Sequence, residues 1–146
     1  MIRLSPSQLD DIHAQAEAAY PYECCGLLAG YRDGDGNIIV TQVVSSPNTW
    51  VDRQAETGKD RFEVDPQVRF DLMRAIKSAN EEIVGHYHSH PDHPAKPSET
   101  DLDMAFEPEL IWLITSVENR TVTATRAWQL NRETQDTVEV RLITVP

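Results

Sequence analysis

This sequence of 146 residues has few basic residues and no long apolar run, and each shortage excludes a class of protein. Thirteen lysines and arginines stand against 24 aspartates and glutamates, so the net charge is −11. That field would repel phosphates, and we predict no nucleic-acid partner. No apolar stretch approaches the roughly 20 residues of a membrane-spanning helix, which predicts no membrane partner. The first residues lack the apolar segment of a secretory signal, so we expect a cytoplasmic protein.

Cysteine is also scarce, and the two that occur, Cys24 and Cys25, are adjacent within an apolar run. Neighbouring residues of a strand point to opposite faces, so a disulfide between them has poor geometry. A redox or metal role would need a CxxC spacing or a third ligand nearby, and neither is present. We therefore predict two buried free thiols in a reducing compartment.

Length and composition predict a single folded domain over residues 1–146. Hydrophobic residues make up 40% and charged residues 25%, which is typical of globular proteins. Helical and strand patterns are interspersed along the chain. We predict a mixed α/β fold, with a mostly antiparallel sheet of about six strands flanked by about three helices.

Helix starts are signalled at three places. Ser5 and Asp65 each precede a proline, which is typical of a helix N-terminus, and Gln8 completes a capping box with Ser5. Ser98 and Asp101 have the spacing of a third, shorter helix start. These signals predict helices over 6–20, from 66 to about 80, and over 98–105.

Six segments have the apolar or alternating pattern of strands. Turn residues at 33–36 predict that the first two strands form a hairpin. A polar stretch over 45–61 is predicted to be a long loop, and loops of that length are often functional. The predicted strands cover 24–29, 38–44, 83–90, 110–117, 122–130 and 138–145.

Three of the five histidines alternate along one predicted strand, at His86, His88 and His90. Alternate residues share a face of a strand, so all three point the same way. Three positions in line extend too far for a single tetrahedral site. The strand is therefore predicted to supply two metal ligands, and a third ligand must come from elsewhere.

Asp101 is the natural third ligand. It follows a loop with three prolines, and a helix start at Ser98 would hold its carboxylate in one orientation. Two histidines and one carboxylate, with water in the fourth position, form a recurrent catalytic zinc set. Taken alone, however, the Ser98–Asp101 pair is more typical of a helix cap than of a metal site.

The complete string resembles the JAMM (MPN-plus) zinc metallopeptidase family. The family pattern is His-Ser-His, seven residues, Ser, two residues and Asp, and it stands here as His88-Ser89-His90, Ser98 and Asp101 without departure. The stretches YECCGLLAG and EIVGHYHSHPDHPAKPSETDL are similar to the compact prokaryotic branch. The resemblance covers the chain from the first helix to about residue 130.

The resemblance implies a role for each of these residues. His88, His90 and Asp101 would bind Zn²⁺, and Glu23, which composition alone does not single out, would be the catalytic carboxylate. Zinc lowers the pKa of a bound water, and Glu23 would take its proton and pass it to the leaving amine. Ser98, the second catalytic residue, would hydrogen-bond the developing oxyanion or the water.

The resemblance also implies a fold and a substrate. The fold would be a cytidine-deaminase-like MPN domain. The activity would be hydrolysis of an amide or isopeptide bond at the C-terminal Gly-Gly of a ubiquitin-like or sulfur-carrier protein.

Three other interpretations stay open on the sequence. The first is a catalytically silent MPN-type interaction scaffold, which the intact residue set disfavours. The second is a DNA-repair-associated relative, disfavoured by the acidity and by the local string HSHP. The third is a zinc deaminase, whose HxE and PCxxC motifs do not occur here.

Outside the metal site, we expect His86 in the core or beside the ligands, His93 exposed in the loop and Trp50 as a structural aromatic.

Overall fold

A computed structural model describes residues 1–53, 59–103, 109–131 and 133–146. None of its described helices is long and apolar enough to cross a membrane. The described residues form four helices and eight strands. In order they are β1 (Ile2–Leu4), α1 (Pro6–Ala19), β2 (Cys25–Arg32), β3 (Ile38–Ser46), α2 (Thr49–Arg53), α3 (Pro66–Ala75), β4 (Glu82–Pro91), α4 (Glu99–Asp103), β5 (Ile111–Glu118), β6 (Thr121–Leu130), β7 (Thr137–Val140) and β8 (Leu142–Thr144).

All eight described strands belong to one sheet, in the order β7-β6-β5-β4-β2-β3-β1-β8. Four of the seven pairings are antiparallel, and the other three are parallel. The outermost strands, β7 and β8, are separated in the chain only by Arg141, whose carbonyl accepts a hydrogen bond from Ile2 N–H at 2.9 Å. The sheet must therefore curl until its two edges approach each other.

The two faces of the sheet carry separate apolar cores. On one face, α1 buries Ile12 and Ala16 against Leu28, Tyr87 and Leu113. On the other face, α3 and the turn after it bury Leu72 and Ile76 against Leu27 and Ala29. Because residues along β2 alternate between these cores, the period of two in the sequence directly sets which side chains face which helix.

The two longer helices begin where the sequence predicts. Ser5 Oγ accepts from Gln8 N–H at 3.2 Å and Gln8 Oε1 accepts from Ser5 N–H at 2.8 Å, which completes the capping box. Asp65 caps α3 by accepting from Gln67 N–H at 2.9 Å, and a proline follows it at the first helical position. Both cysteines are buried and free, as predicted.

The predicted mixed α/β fold is confirmed, and four of its details are corrected. The short strand β1 was not predicted, because three residues carry too little pattern. The segment 138–145 divides into β7 and β8, because each half pairs with a different edge of the sheet. Helix α3 ends at Ala75 and turns follow it. The predicted loop over 45–61 contains α2, while its residues 54–58, like 104–105 of the third predicted helix, lie outside the described part of the chain.

The connection from β4 to β5 positions the site. These strands pair in parallel, with His88 opposite Ile114 and His90 opposite Ser116. A parallel pair requires a crossover from the end of one strand back to the start of the next. Helix α4 lies on that crossover, so it returns over the carboxyl end of β4.

Candidate metal centre

Three side chains from two elements converge at one point: His88 and His90 from β4, and Asp101 from α4. The two Nε2 atoms lie 3.1 Å apart. Asp101 Oδ2 lies 3.2 Å from Nε2 of His88 and 2.9 Å from Nε2 of His90. The relative exposures of the three residues are 1%, 4% and 7%. The three ligand atoms lie within 4.8 Å of one another, a spacing at which they could hold a single metal ion.

Strand geometry separates two of the three alternating histidines from the third. Tyr87 points to the α1 face, where its hydroxyl donates to Gln15 Oε1 at 2.6 Å, so the histidines on either side of it point to the opposite face. The ring of His86 lies 5.9 Å from that of His88 and 5.8 Å from that of Trp112. Burial lowers the pKa of His86 to about 3. As expected, His86 lies beside the cluster rather than in it.

Asp101 is at once a helix-cap residue and a member of the cluster. Its backbone N–H donates to Ser98 Oγ at 3.1 Å, and its Oδ2 accepts from Ser98 N–H at 3.0 Å. This reciprocal pair is a capping box. The same Oδ2 faces both histidines, so the cap orients the carboxylate toward them. The two interpretations of this residue are therefore compatible.

The backbone of the 91–97 loop orients His90. Its Nδ1 lies 2.8 Å from the carbonyl oxygen of Pro94. A carbonyl only accepts hydrogen bonds, so Nδ1 carries the proton, and in the neutral ring Nε2 has a free lone pair. That lone pair points toward His88 and Asp101, which is the arrangement of a metal-binding histidine.

The electrostatics of the cluster favour the protonation states that metal binding requires. Burial lowers the pKa of His88 despite the attraction of Asp101, so its imidazole is neutral at neutral pH. Burial alone would raise the pKa of Asp101, but the adjacent imidazoles, His88 foremost, hold it below its usual range. Neutral imidazoles and an ionised carboxylate are the forms that coordinate metals.

Glu23 reaches this face through an extension of the ladder between β2 and β4. Ser89 N–H donates to the carbonyl of Cys24 at 3.1 Å, and Cys24 N–H donates to Ser89 Oγ at 2.8 Å. Cys25 pairs with His88 and therefore lies on the histidine face. Because alternate residues share a face, Glu23, two positions before Cys25, also lies there.

One oxygen of the buried Glu23 carboxyl group has no hydrogen-bond partner in the described part of the chain. The residue is 3% exposed, and its Oε1 has no hydrogen-bond partner among the described residues. Burial raises its pKa well above the usual value, and the negative charges of Asp101 and Asp60 raise it further. A carboxyl group with a raised pKa beside a ligand cluster is suited to accepting and returning a proton near neutral pH.

A cavity of about 270 Å³ opens onto this cluster. Glu23, His90 and Ser98 line it together, so three of the five residues that the sequence singles out face one space. His93 is exposed, as expected, and also lines the cavity. The guanidinium of Arg61 lies over the ring of Trp50, 5.4 Å from its centroid.

Comparison with known proteins gives this arrangement a family. Residues 5–131 match the model of the prokaryotic homologues of the JAB domain. The chain belongs to this family. It is 37% identical to a desampylase of Haloferax volcanii over 110 residues, which are 74% of this chain and 73% of the relative. It is 30% identical to a CysO-cysteine peptidase of Mycobacterium tuberculosis over 109 residues, which are 73% of this chain and 66% of that protein.

A solved structure shows the JAB fold independently. The JAB1/MPN domain protein AF2198 of Archaeoglobus fulgidus superposes with a TM-score of 0.60 over 99% of this chain and 98% of its own, at 20% identity. Identity this low supports the fold alone. The mixed α/β fold of this chain is the MPN fold, and the predicted family resemblance is confirmed.

The donor set of this JAB domain fits a metal ion on its own geometry. Two imidazole Nε2 atoms at 3.1 Å cannot both direct lone pairs at each other unless a proton or a cation lies between them. Asp101 supplies a negative charge on the same side. Two nitrogens and one carboxylate oxygen leave a coordination position open, which is the donor set of catalytic zinc sites.

Two features of the site had no signal in the sequence. Phe62 stacks on the ring of His88, with centroids 4.3 Å apart and planes at 18°. The Pro94 carbonyl that orients His90 is a backbone group, and no motif of side chains encodes it. Both depend on how the segments around β4 pack, so only the folded chain reveals them.

Proposed function

We propose that this chain is a zinc-dependent metallopeptidase. It hydrolyses the amide or isopeptide bond that follows the C-terminal Gly-Gly of a ubiquitin-like or sulfur-carrier protein. His88, His90 and Asp101 hold the zinc, and Glu23 and Ser98 are the catalytic residues. In this proposal residues 1–146 act as one domain.

One observation carries the proposal: the buried carboxyl group of Glu23, one oxygen of which has no hydrogen-bond partner among the described residues, shares a cavity with His90 and Ser98. A structural metal site would be closed by protein ligands and would need no carboxyl of this kind nearby. An interaction scaffold would have no reason to keep Oε1 of Glu23 buried without a hydrogen-bond partner, because such an atom destabilises the fold. A catalytic site uses this arrangement, since ionisable groups with a shifted pKa are concentrated at sites where chemistry occurs.

Each residue has a defined task in this mechanism. When zinc is bound, it lowers the pKa of a water molecule toward 7. Glu23 takes a proton from the attacking water and delivers it to the nitrogen of the leaving amine as the C–N bond breaks. Ser98 lies at the cavity wall, where its hydroxyl donates to the oxygen that gains negative charge. Pro94 keeps His90 in the correct tautomer through its carbonyl.

The substrate class is supported by the relatives. One is named a desampylase and the other a CysO-cysteine peptidase. Both names describe the removal of a group joined to a partner. The cavity beside Glu23, at about 270 Å³, is near the lower end of the range for small-molecule sites and is far too small for a folded domain. We infer that it receives the atoms around the scissile bond while the body of the carrier stays outside.

A cleavage assay with metal analysis tests the proposal. The purified protein should contain one zinc per chain and should remove a single cysteine from a ubiquitin-like carrier that ends in Gly-Gly-Cys. The released amino acid and the shortened carrier are both measured by mass spectrometry. A carrier in which Ala-Ala replaces Gly-Gly is the control and should be cut more slowly. Stoichiometric zinc without cleavage of any Gly-Gly carrier would support the scaffold interpretation instead.

Replacing Ser98 by alanine should weaken both the helix cap and the site. Loss of the cap lowers the free energy of unfolding by about 1 kcal/mol. Asp101 also loses the hydroxyl that fixes its backbone, so zinc affinity should fall by about 10- to 100-fold, as for other groups that orient ligands. Zinc affinity is measured by competition with a chelator, and stability by chemical denaturation of the metal-free protein.

Ser5→Ala is the matched control, because Ser5 forms the same capping box at the start of α1. It should lower stability by a similar amount and leave zinc affinity unchanged. Equal zinc affinities in the two variants would show that Ser98 does not order Asp101.

A further inference from the structure

We propose that the cavity beside Glu23 binds a C-terminal amino acid with a free α-carboxylate, and that Lys96 is the cation that recognises it. This inference rests on the proposed function and narrows it. The enzyme would release one terminal residue from a carrier in preference to separating a carrier from a lysine side chain of another protein. Lys96 is then a specificity-determining residue.

The backbone around Lys96 is held in place on both sides. Lys96 N–H donates to the Pro94 carbonyl at 2.9 Å. The carbonyl of Ala95 accepts from Trp128 Nε1 at 2.9 Å, and the carbonyl of His93 accepts from Ser116 Oγ at 2.5 Å. Pro97 follows directly and restricts the chain further. The Cα of this lysine is therefore positioned by the fold, although its side chain reaches solvent.

Lys96 is a rare positive charge in an acidic chain, and it lies on the wall of the cavity. The chain has a net charge of −11, and only three of its 146 residues are lysines. Among the described residues that line the cavity, Lys96 is the one lysine or arginine, and the carboxyl groups of Glu23 and Asp60 line the same cavity. A positive charge in an acidic protein, carried on backbone that is held two residues from the proposed oxyanion donor, favours an anionic group of the substrate at that point.

The cavity therefore offers groups for both charges of an amino acid product: one cation for its α-carboxylate, and the carboxyl groups of Glu23 and Asp60 on the side of its amine. Its α-carboxylate would lie against Lys96, and its nascent amine near Glu23. In the hydrolysis, the C–N bond between the penultimate glycine carbonyl and the terminal residue breaks. The elements of one water are divided between the two products: hydroxide goes to the acyl carbon, and the proton passes through Glu23 to the amine. No further reactant is needed.

An isopeptide offers a different leaving group to the same cavity. The atoms next to its scissile nitrogen are the methylenes of a lysine side chain. An isopeptide therefore has no carboxylate close to the scissile bond. Lys96 would make no charge-assisted contact there. Comparison of the free acid with the C-terminal amide of the same carrier isolates the contribution of Lys96, because these two substrates differ only at that group.

Three substrates built on one carrier test the proposal. The carrier ends in Gly-Gly-Cys with a free carboxylate, in Gly-Gly-Cys with a C-terminal amide, or in Gly-Gly joined to the ε-nitrogen of a lysine peptide. Each is offered to the zinc-loaded wild type and to Lys96→Gln, Lys96→Arg and Lys77→Gln. Lys77 is an exposed lysine after α3, outside the cavity wall, so its variant controls for overall charge.

We expect kcat/KM of the wild type to be about tenfold higher for the free acid than for the amide, as for one charge-assisted contact. Lys96→Gln should remove this preference, mainly by raising KM for the acid, and should leave cleavage of the amide unchanged. Lys96→Arg and Lys77→Gln should keep the preference. A change in folding would affect both substrates equally, so the ratio separates recognition from stability.

Equal cleavage of acid and amide by the wild type would overturn this inference and leave the proposed function intact. So would a preference that persists in Lys96→Gln, or faster cleavage of the isopeptide than of the free acid. Failure of the zinc-loaded wild type to cleave any of the three would overturn the proposed function itself, and this inference with it.

Discussion

Replacing Glu23 by glutamine should reduce kcat by about 10²- to 10⁴-fold, the contribution typical of a positioned general acid–base. The amide keeps the shape of the side chain but can no longer carry a proton between the water and the leaving amine. Zinc content should stay at one per chain, because Glu23 is not one of the three clustered residues that we propose as ligands. The measurement is steady-state cleavage of a Gly-Gly-Cys carrier, together with metal analysis of the same sample.

The same substitution should stabilise the metal-free protein. Burial raises the pKa of Glu23 well above its ordinary value, so the native state holds this proton more tightly than the unfolded state does. Stability is therefore lost as pH rises above the unfolded pKa, and the loss is complete once the folded pKa is passed. Glutamine does not ionise, so at pH 7 to 8 the variant should unfold with a free energy about 1–3 kcal/mol higher.

Control measurements fix the cause of this gain. The difference between variant and wild type should close as pH falls below the unfolded pKa, where the carboxyl is protonated in both states. Glu17→Gln is the matched variant, because Glu17 is exposed on α1 and accepts from Val122 N–H at 2.9 Å, a bond an amide oxygen also accepts. It should change neither activity nor the pH dependence. A Glu23→Gln variant that cleaves as fast as the wild type would rule out the proposed mechanism.

Replacing Asp101 by asparagine should lower zinc affinity by more than about 100-fold, beyond the loss typical of groups that only orient ligands. Asparagine keeps a side-chain oxygen at this position, so it can still accept from Ser98 N–H. The variant therefore keeps the cap of α4 while it removes the negative charge that faces both histidines. Chelator competition measures the affinity, and denaturation of the metal-free protein confirms that the fold is retained.

The outcome decides between the two roles of Asp101. If its carboxylate served only the helix, Asp101→Asn would bind zinc as tightly as the wild type.

Acid should release zinc from the wild type as well, because His88 and His90 must lose their protons to bind it. Since burial lowers the pKa of His88, this ligand stays available below its ordinary pKa of 6.5 and is lost only at more acid pH. Full zinc occupancy at pH 4 would contradict the assignment.

Local patterns in the sequence determined the elements that contain the site. The capping signals at Ser5 and Asp65 located two helices, and the alternation around Tyr87 placed the histidines on one face of β4. These features depend on interactions between residues that are close together in the chain, so the local sequence pattern is enough to predict them. The split of the last predicted strand into β7 and β8 was missed, because it depends on which edge of the sheet each half meets.

For the proposed metal ligands, too, the sequence determines one part and the tertiary structure the other. Strand spacing by itself determined that two neighbouring histidines could act together and that a third in line could not. It could not decide whether Asp101 only caps a helix, or which glutamate faces the cluster. The tertiary structure brings Asp101 Oδ2 to 2.9 Å from His90 Nε2, because the crossover between parallel strands returns over the end of β4. Glu23 reaches the same face through the ladder to Ser89, a contact between residues far apart in the chain that only folding creates.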